Sequence, residues 1–208
     1  MKYIGIDLAG SPKRPTGFCT IDSRLLVKCQ VLYTDKEILE AVKLTGGRIA
    51  AIDAPLALPK GRHCLKEHCR GRVHFRACDR VLSRMRIRYF PLTLGPMRML
   101  TSRGIYLTKR LGQLGVESIE TFPGGSQDIL GMPRKQVSLE ALQHALGEMC
   151  TGDILERKLT GDELDAINCA LVARDYARGS YLAIGDPSEI LMILPLPTPQ
   201  KLPKDSRS

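Results

Sequence analysis

A chain of 208 residues, 43% of them hydrophobic, has room for one sizeable core, and no apolar run in it approaches the ~20 residues of a membrane span. Seven cysteines are an odd number and form no small secreted framework, so reduced thiols and a cytoplasmic location are expected, with no signal peptide ahead of the first strand. The net charge of +9 is unevenly placed: residues 60–110 hold fourteen of the 31 basic side chains and two of the 22 acidic ones, a local charge of +12 against −3 elsewhere. That concentration suits a phosphate-bearing partner, DNA or RNA, and a plain solvated basic face is the bland alternative.

Ile4 and Ile6 alternate in a short strand over residues 3–9, and the turn-rich residues 10–17 end it. Asp7 sits near its end, where a buried carboxylate is costly unless it is paired, metal-bound or caps the turn. Residues 17–22 and 25–33 read as two more strands, and the short connections make an antiparallel meander. Asp35 reads as the N-cap of a helix with Ile38, Leu39 and Val42 on one face, ended by Gly46-Gly47. The apolar run Ile49-Ala50-Ala51-Ile52 has the pattern of a strand buried on both faces. It too ends in a carboxylate, Asp53, before Pro55 turns the chain out of the sheet.

Composition changes over residues 60–88. Arg72, Arg76, Arg80 and Arg84 recur every four residues, which on one helix makes a basic stripe; Val73, Ala77, Val81 and Met85 would form the apolar ridge beside it. The stripe is expected to be exposed and to hold nucleic acid. Asp79 is expected to pair with Arg76 or another arginine. Residues 102–114 read as a helix and residues 116–122 as a fifth strand containing Glu120, closed by a turn at Pro123-Gly124-Gly125. Ser138 caps a helix to about residue 150, and Thr160 with Glu163 forms a capping box for a longer helix to about residue 178. Residues 183–186 and 190–194 suit a terminal hairpin. The Pro- and Lys-rich residues 196–208 read as a disordered tail beyond a single domain spanning 1–195, of which 60–115 is a basic helical insertion.

The acids make the pattern chemical. Asp7 and Asp53 end strands, Glu120 lies in a strand, and Asp162 and Asp165, three apart on a helix, share a face. Carboxylates brought into one cleft repel one another unless cations bind them, and hard ions such as Mg²⁺ or Mn²⁺ take oxygen ligands. The expected metal ligands are Asp7, Asp53 and Asp165, with Glu120 or Asp162 assisting, and the expected chemistry is phosphodiester hydrolysis.

Five stretches resemble the domain-of-unknown-function family 429, proposed as ribonuclease-H-like nucleases: Gly5-Ile6-Asp7-Leu8-Ala9, Ala51-Ile52-Asp53-Ala54-Pro55, Ala77-Cys78-Asp79-Arg80, Glu120-Thr121-Phe122-Pro123 and Asp162-Glu163-Leu164-Asp165-Ala166. The resemblance implies a ribonuclease-H-like α/β fold: a mixed five-stranded sheet of order 3-2-1-4-5 with strand two antiparallel, flanked by helices. The Asp162-x-x-Asp165 pair is similar to the arrangement in Holliday-junction resolvases of this fold, which carries Asp165 over first and Asp162 next. Those resolvases place their second acid on strand four, where this chain has Asp53, so Glu120 carries over least. A non-catalytic nucleic-acid-binding module is the alternative reading, and a small-molecule phosphotransferase a further one.

A second metal site is also expected from residue types. Cys64, Cys69, His74 and Cys78 offer the thiolates and imidazole that zinc takes, although no second Cys-x-x-Cys follows. The competing reading makes Cys78 a small buried hydrophobe.

Overall fold

The computed structural model describes residues 1–66, 68–69 and 73–197. Its centre is the predicted meander. β1 (Lys2–Asp7), β2 (Thr16–Asp22) and β3 (Leu26–Leu32) pair antiparallel in sequence, and β4 (Ile49–Asp53) and β5 (Glu117–Thr121) continue parallel from β1. The order 3-2-1-4-5 is therefore present, as the resemblance implies. Among the described residues the sheet has eight strands rather than five. A two-residue β6 (Thr151–Gly152) extends it beyond β3, and the terminal hairpin of β7 (Leu182–Ile184) and β8 (Met192–Leu194) adds to β5. Joining the sheet gives the hairpin backbone partners that it would lack alone.

Strand alternation sorts the core onto two faces. Ile4, Ile6, Ala50 and Ile52 point to one face, which is covered by α1 (Asp35–Thr45) and α3 (Gly95–Gln113). Tyr3, Ala51 and Ile119 point to the other, under α7 (Gly161–Ala177). α7 is buried along most of its length and lies very close to the sheet. A Cβ on Gly5 would stand 2.0 Å from the Ala166 carbonyl oxygen, and one on Gly17 would stand 1.9 Å from that of Asp162. Only the missing side chains permit this approach.

Several helix boundaries differ from the sequence reading for local reasons. Thr34, rather than Asp35, caps α1, because its extended backbone lets its hydroxyl accept from Glu37 N–H while the Glu37 carboxylate accepts from Thr34 N–H. Asp35 instead accepts from the Arg103 guanidinium at 2.7 Å. α3 begins at Gly95, seven residues before the expected start, with Pro96 in the first turn, where its missing N–H costs nothing. Pro123 likewise opens a helix, α4 (Pro123–Leu130), where a closing turn was expected. Ser138 caps α5 (Leu139–Gly147), and α6 (Asp153–Glu156) is a single turn. The Thr160–Glu163 capping box of α7 forms as the sequence predicts.

The basic segment departs most. Among the described residues of this segment only Ala77–Arg84 are helical, as α2, and Arg76 is its N-cap. The buried ridge is Cys78, Asp79 and Leu82, not Val73, Ala77, Val81 and Met85. Among the described residues no helix is long and apolar enough to cross a membrane. The expected tail begins at residue 196, and residues 198–208 lie outside the described ones.

Candidate active site

β1 and β4 run parallel with Asp7 opposite Asp53, so two neighbouring strands end side by side in carboxylates on the same face of the sheet. That face carries α7, whose second helical residue is Asp162 and fifth Asp165. The tight packing of α7 over Gly5 and Gly17 brings both acids down to the strand ends. The cluster opens into a cleft of about 740 Å³ whose walls include Asp53, Pro55, Tyr89, Phe122, Gln127 and Arg134.

At the meeting point of the acids is Lys135, a residue that the sequence reading did not single out. Its Nζ lies 3.0 Å from Asp7 Oδ2, 3.2 Å from Asp162 Oδ1 and 2.8 Å from Asp165 Oδ2. Gln127, buried on α4, donates from Nε2 to Asp165 Oδ1 at 2.7 Å. No donor among the described residues reaches Asp53. Four carboxylates thus face one ammonium, and three of them, Asp7, Asp53 and Asp165, are pushed above the ordinary carboxylate value. Burial raises the Asp7 carboxyl to about 7, with the Asp165 and Asp162 charges pushing the same way and Lys135 opposing them. Burial, then the Asp7 and Asp165 charges, hold Asp53 well above the ordinary carboxylate range. Asp165 is raised by burial against the pull of Lys135 and Gln127. Burial alone would lower Lys135, but the facing Asp7 and Asp165 carboxylates outweigh it and hold the ammonium above its usual range.

Glu120 does not join this cluster. It pairs in register with Ile52, so its side chain leaves β5 on the opposite face from Asp53. There it is fully enclosed: Leu56 N–H donates to Oε2 at 2.8 Å, and Arg76 reaches both carboxylate oxygens at 2.6 Å. Arg76 is accordingly buried, which corrects its place in an exposed stripe. The cause is the buried Glu120 charge, which needs a counterion in a dry site. Asp79 completes the set, accepting from Arg76 N–H at 2.8 Å and lying 3.3 Å from Nη2; the expected Arg76–Asp79 pair is present. Arg80 and Arg84 are exposed on α2 but do not line the cleft, and Arg72 lies outside the described residues. Besides the buried Arg76, the arginines lining the cleft are Arg88 and Arg134, with Arg134 held by Asp128 at 2.6 Å and stacked 5.7 Å from the Phe122 ring centroid.

Among the described residues no group of three or more His, Cys, Asp or Glu side chains is set to hold a metal directly. For the expected zinc ligands this is a correction. Cys78 is buried with Leu82, Ile129 and Leu194 as a small hydrophobe, its Sγ turned to Asp79 Oδ1 at 3.6 Å. His74 is exposed, with Nδ1 3.2 Å from Thr93 Oγ1. Cys64 and Cys69 lie in a loop organised by Arg62, which donates to the carbonyls of Cys64, Lys66 and Val73. In the acid cluster the place between the carboxylates is taken by Lys135, their common partner. The donor set itself suits a hard divalent ion, being all carboxylate oxygen with charge in excess of its one cation.

No family model matches the chain, and no curated relative does. Among solved structures the chain is similar to T. thermophilus RuvC in complex with Holliday junction substrate, at TM-score 0.48 and 13% identity over 86% of this chain and 96% of that one. A second Thermus thermophilus RuvC structure gives TM-score 0.46, also at 13% identity and the same coverage. Both scores fall below 0.5, so the site has to be understood from this chain's own geometry.

Proposed function

We propose that the chain is a divalent-cation-dependent nuclease hydrolysing phosphodiester bonds of DNA or RNA. The observation that carries this is the register pairing of Asp7 with Asp53 at adjacent strand ends, with Asp165 drawn to the same point through Lys135. Asp7, Asp53 and Asp165 would hold the Mg²⁺ or Mn²⁺, with Asp162 beside them. Such an ion would supply Lewis acidity to the phosphodiester. Gln127 fixes the direction of Asp165. Arg88 and Arg134 at the cleft offer charge to the phosphate backbone, and Phe122, Tyr89 and the exposed Phe90 offer faces on which unpaired bases stack. The motif resemblance to the domain-of-unknown-function family 429 supports the same reading and makes membership part of the proposal.

The test is cleavage of labelled single-stranded, duplex and four-way-junction DNA and single-stranded RNA, with Mg²⁺, Mn²⁺ or chelator. Cleavage that needs the divalent ion and is lost in Asp7→Asn and Asp165→Asn, both still folded, is the expected result. Lys135 at the centre of the acids favours one alternative, a binding module whose carboxylates are already neutralised. Binding across the panel without cleavage would decide for that module. A protein that neither binds nor cleaves any of them would move the reading to a small phosphorylated substrate.

A further inference from the structure

An ammonium has three N–H donors, and those of Lys135 have three acceptors: Asp7 Oδ2, Asp162 Oδ1 and Asp165 Oδ2, at 2.8–3.2 Å. Lys135 is therefore saturated where it lies. Both oxygens of Asp165 already accept one hydrogen bond, Oδ2 from Lys135 and Oδ1 from Gln127, which leaves each a single further lone pair. The carboxylate oxygens left over are Asp7 Oδ1, Asp162 Oδ2 and both oxygens of Asp53; the strand register sets Asp7 and Asp53 side by side, and Asp53 lines the cleft. The lysine lies in the segment between α4 and α5, 128 residues from Asp7 in sequence, and that segment is anchored at the cleft by the Arg134–Asp128 pair.

We propose that this site takes one divalent cation, anchored by Asp7 and Asp53 with Asp165 completing the set, and that Lys135 is a resident second cation holding the ground another ion would need. The inference rests on the divalent-ion reading above. Lys135 acts as a positioning residue: it ties Asp162 and Asp165 of α7 to Asp7 of β1 and limits the acids free to bind metal. A dication entering near a fixed ammonium is repelled, so Lys135 also weakens the affinity of the one site it leaves.

The experiment uses the full chain stripped with chelator and titrated with Mn²⁺, bound ions being counted by calorimetry and by electron paramagnetic resonance. One ion per wild-type chain is expected. Lys135→Met keeps the aliphatic stem and removes the charge; it should bind Mn²⁺ about tenfold tighter or accept a second ion. Without metal this variant should melt below wild type, and saturating Mn²⁺ should restore it by a larger shift than wild type shows. A merely structural lysine would not give that metal-specific rescue. Two ions on the wild-type chain, or equal affinity in wild type and variant, would overturn the role of Lys135 and leave the nuclease reading standing. No ion on either protein would overturn both. The wild-type count decides the matter even if the variant fails to fold.

Discussion

Two carboxylate groups lie on opposite faces of one sheet, and they have been treated in opposite ways. Glu120 and Asp79 share Arg76, whose buried guanidinium reaches both on one face, at the wall of the cleft. Asp7, Asp162 and Asp165 share a single Lys135 on the other, with Asp53 beside Asp7 and without a donor among the described residues; Asp53, Asp165 and Lys135 border the same cleft. The first group has two acids, one arginine and a backbone N–H aimed at Glu120. The second has more charge than its cation can answer. Buried carboxylates are thus not one kind of signal. Those with matched partners hold the structure together, and those left in excess are available for chemistry.

The largest test of this contrast removes one partner on the matched face. Arg76→Ala leaves Glu120 buried and unpaired and should cost about 3–5 kcal/mol in urea unfolding, whereas the double change Arg76→Met with Glu120→Leu should recover most of that loss. If the single change costs no more than the double, the Arg76–Glu120 pair is not the counterbalanced unit described here. On the open face the metal-free protein should lose stability as pH rises. Asp7 binds its proton up to about pH 7 when folded but only to 3.8 when unfolded. Between those values the folded state holds more protons, so its advantage is full below 3.8 and gone above 7, at up to ~1.4 kcal/mol per pH unit. Asp53 and Asp165 are raised too and act in the same direction. Unfolding midpoints in chelator at pH 5 and pH 7.5 check this, and a flat profile would contradict the charge excess.

A smaller effect follows from removing one acid. Asp7→Asn relieves repulsion while keeping an oxygen for Lys135, and should raise the metal-free melting temperature at pH 7.5 by about 2–4 °C for each kcal/mol relieved. A fall would mean that Lys135 already balances the cluster. Smallest in energy are the cleft arginines. Arg88→Ala or Arg134→Ala should weaken nucleic-acid binding across all sequences and each lower the salt slope by about 1. Arg80→Ala and Arg84→Ala, away from the cleft, should change that slope less; the reverse ranking would restore the α2 stripe as the binding surface.

The strand pattern was readable because alternation and a terminal carboxylate are local properties. Ile4, Ile6 and Asp7 state both within a few residues, as do Ile49 to Asp53. The Thr160–Glu163 box was readable for the same reason. Lys135 was not, because nothing in Pro133-Arg134-Lys135-Gln136 is periodic and its partners are distant in sequence. Arg76 misled because a four-residue repeat of arginine has helical spacing whether or not the chain is helical, and α2 starts only at Ala77. Glu120 carried a usable clue. Ile119 belongs to the core under α7, so its neighbour had to face the other way, once strand register made Ile119 and Ala51 partners.

The glycines under α7 set the gauge of the site. Mg²⁺ demands oxygens at 2.0–2.1 Å and Ca²⁺ accepts 2.3–2.6 Å, so the height of one helix above two strands can choose between them. Here that height is fixed by atoms absent from Gly5 and Gly17, neither of which carries a group able to touch an ion or a phosphate. A methyl at either position would work as a shim, lifting Asp162 and Asp165 away from Asp7 and Asp53. On the proposed reading, ion preference would be written partly in residues that bind nothing, and drift at those two positions would retune the chemistry without altering a single ligand.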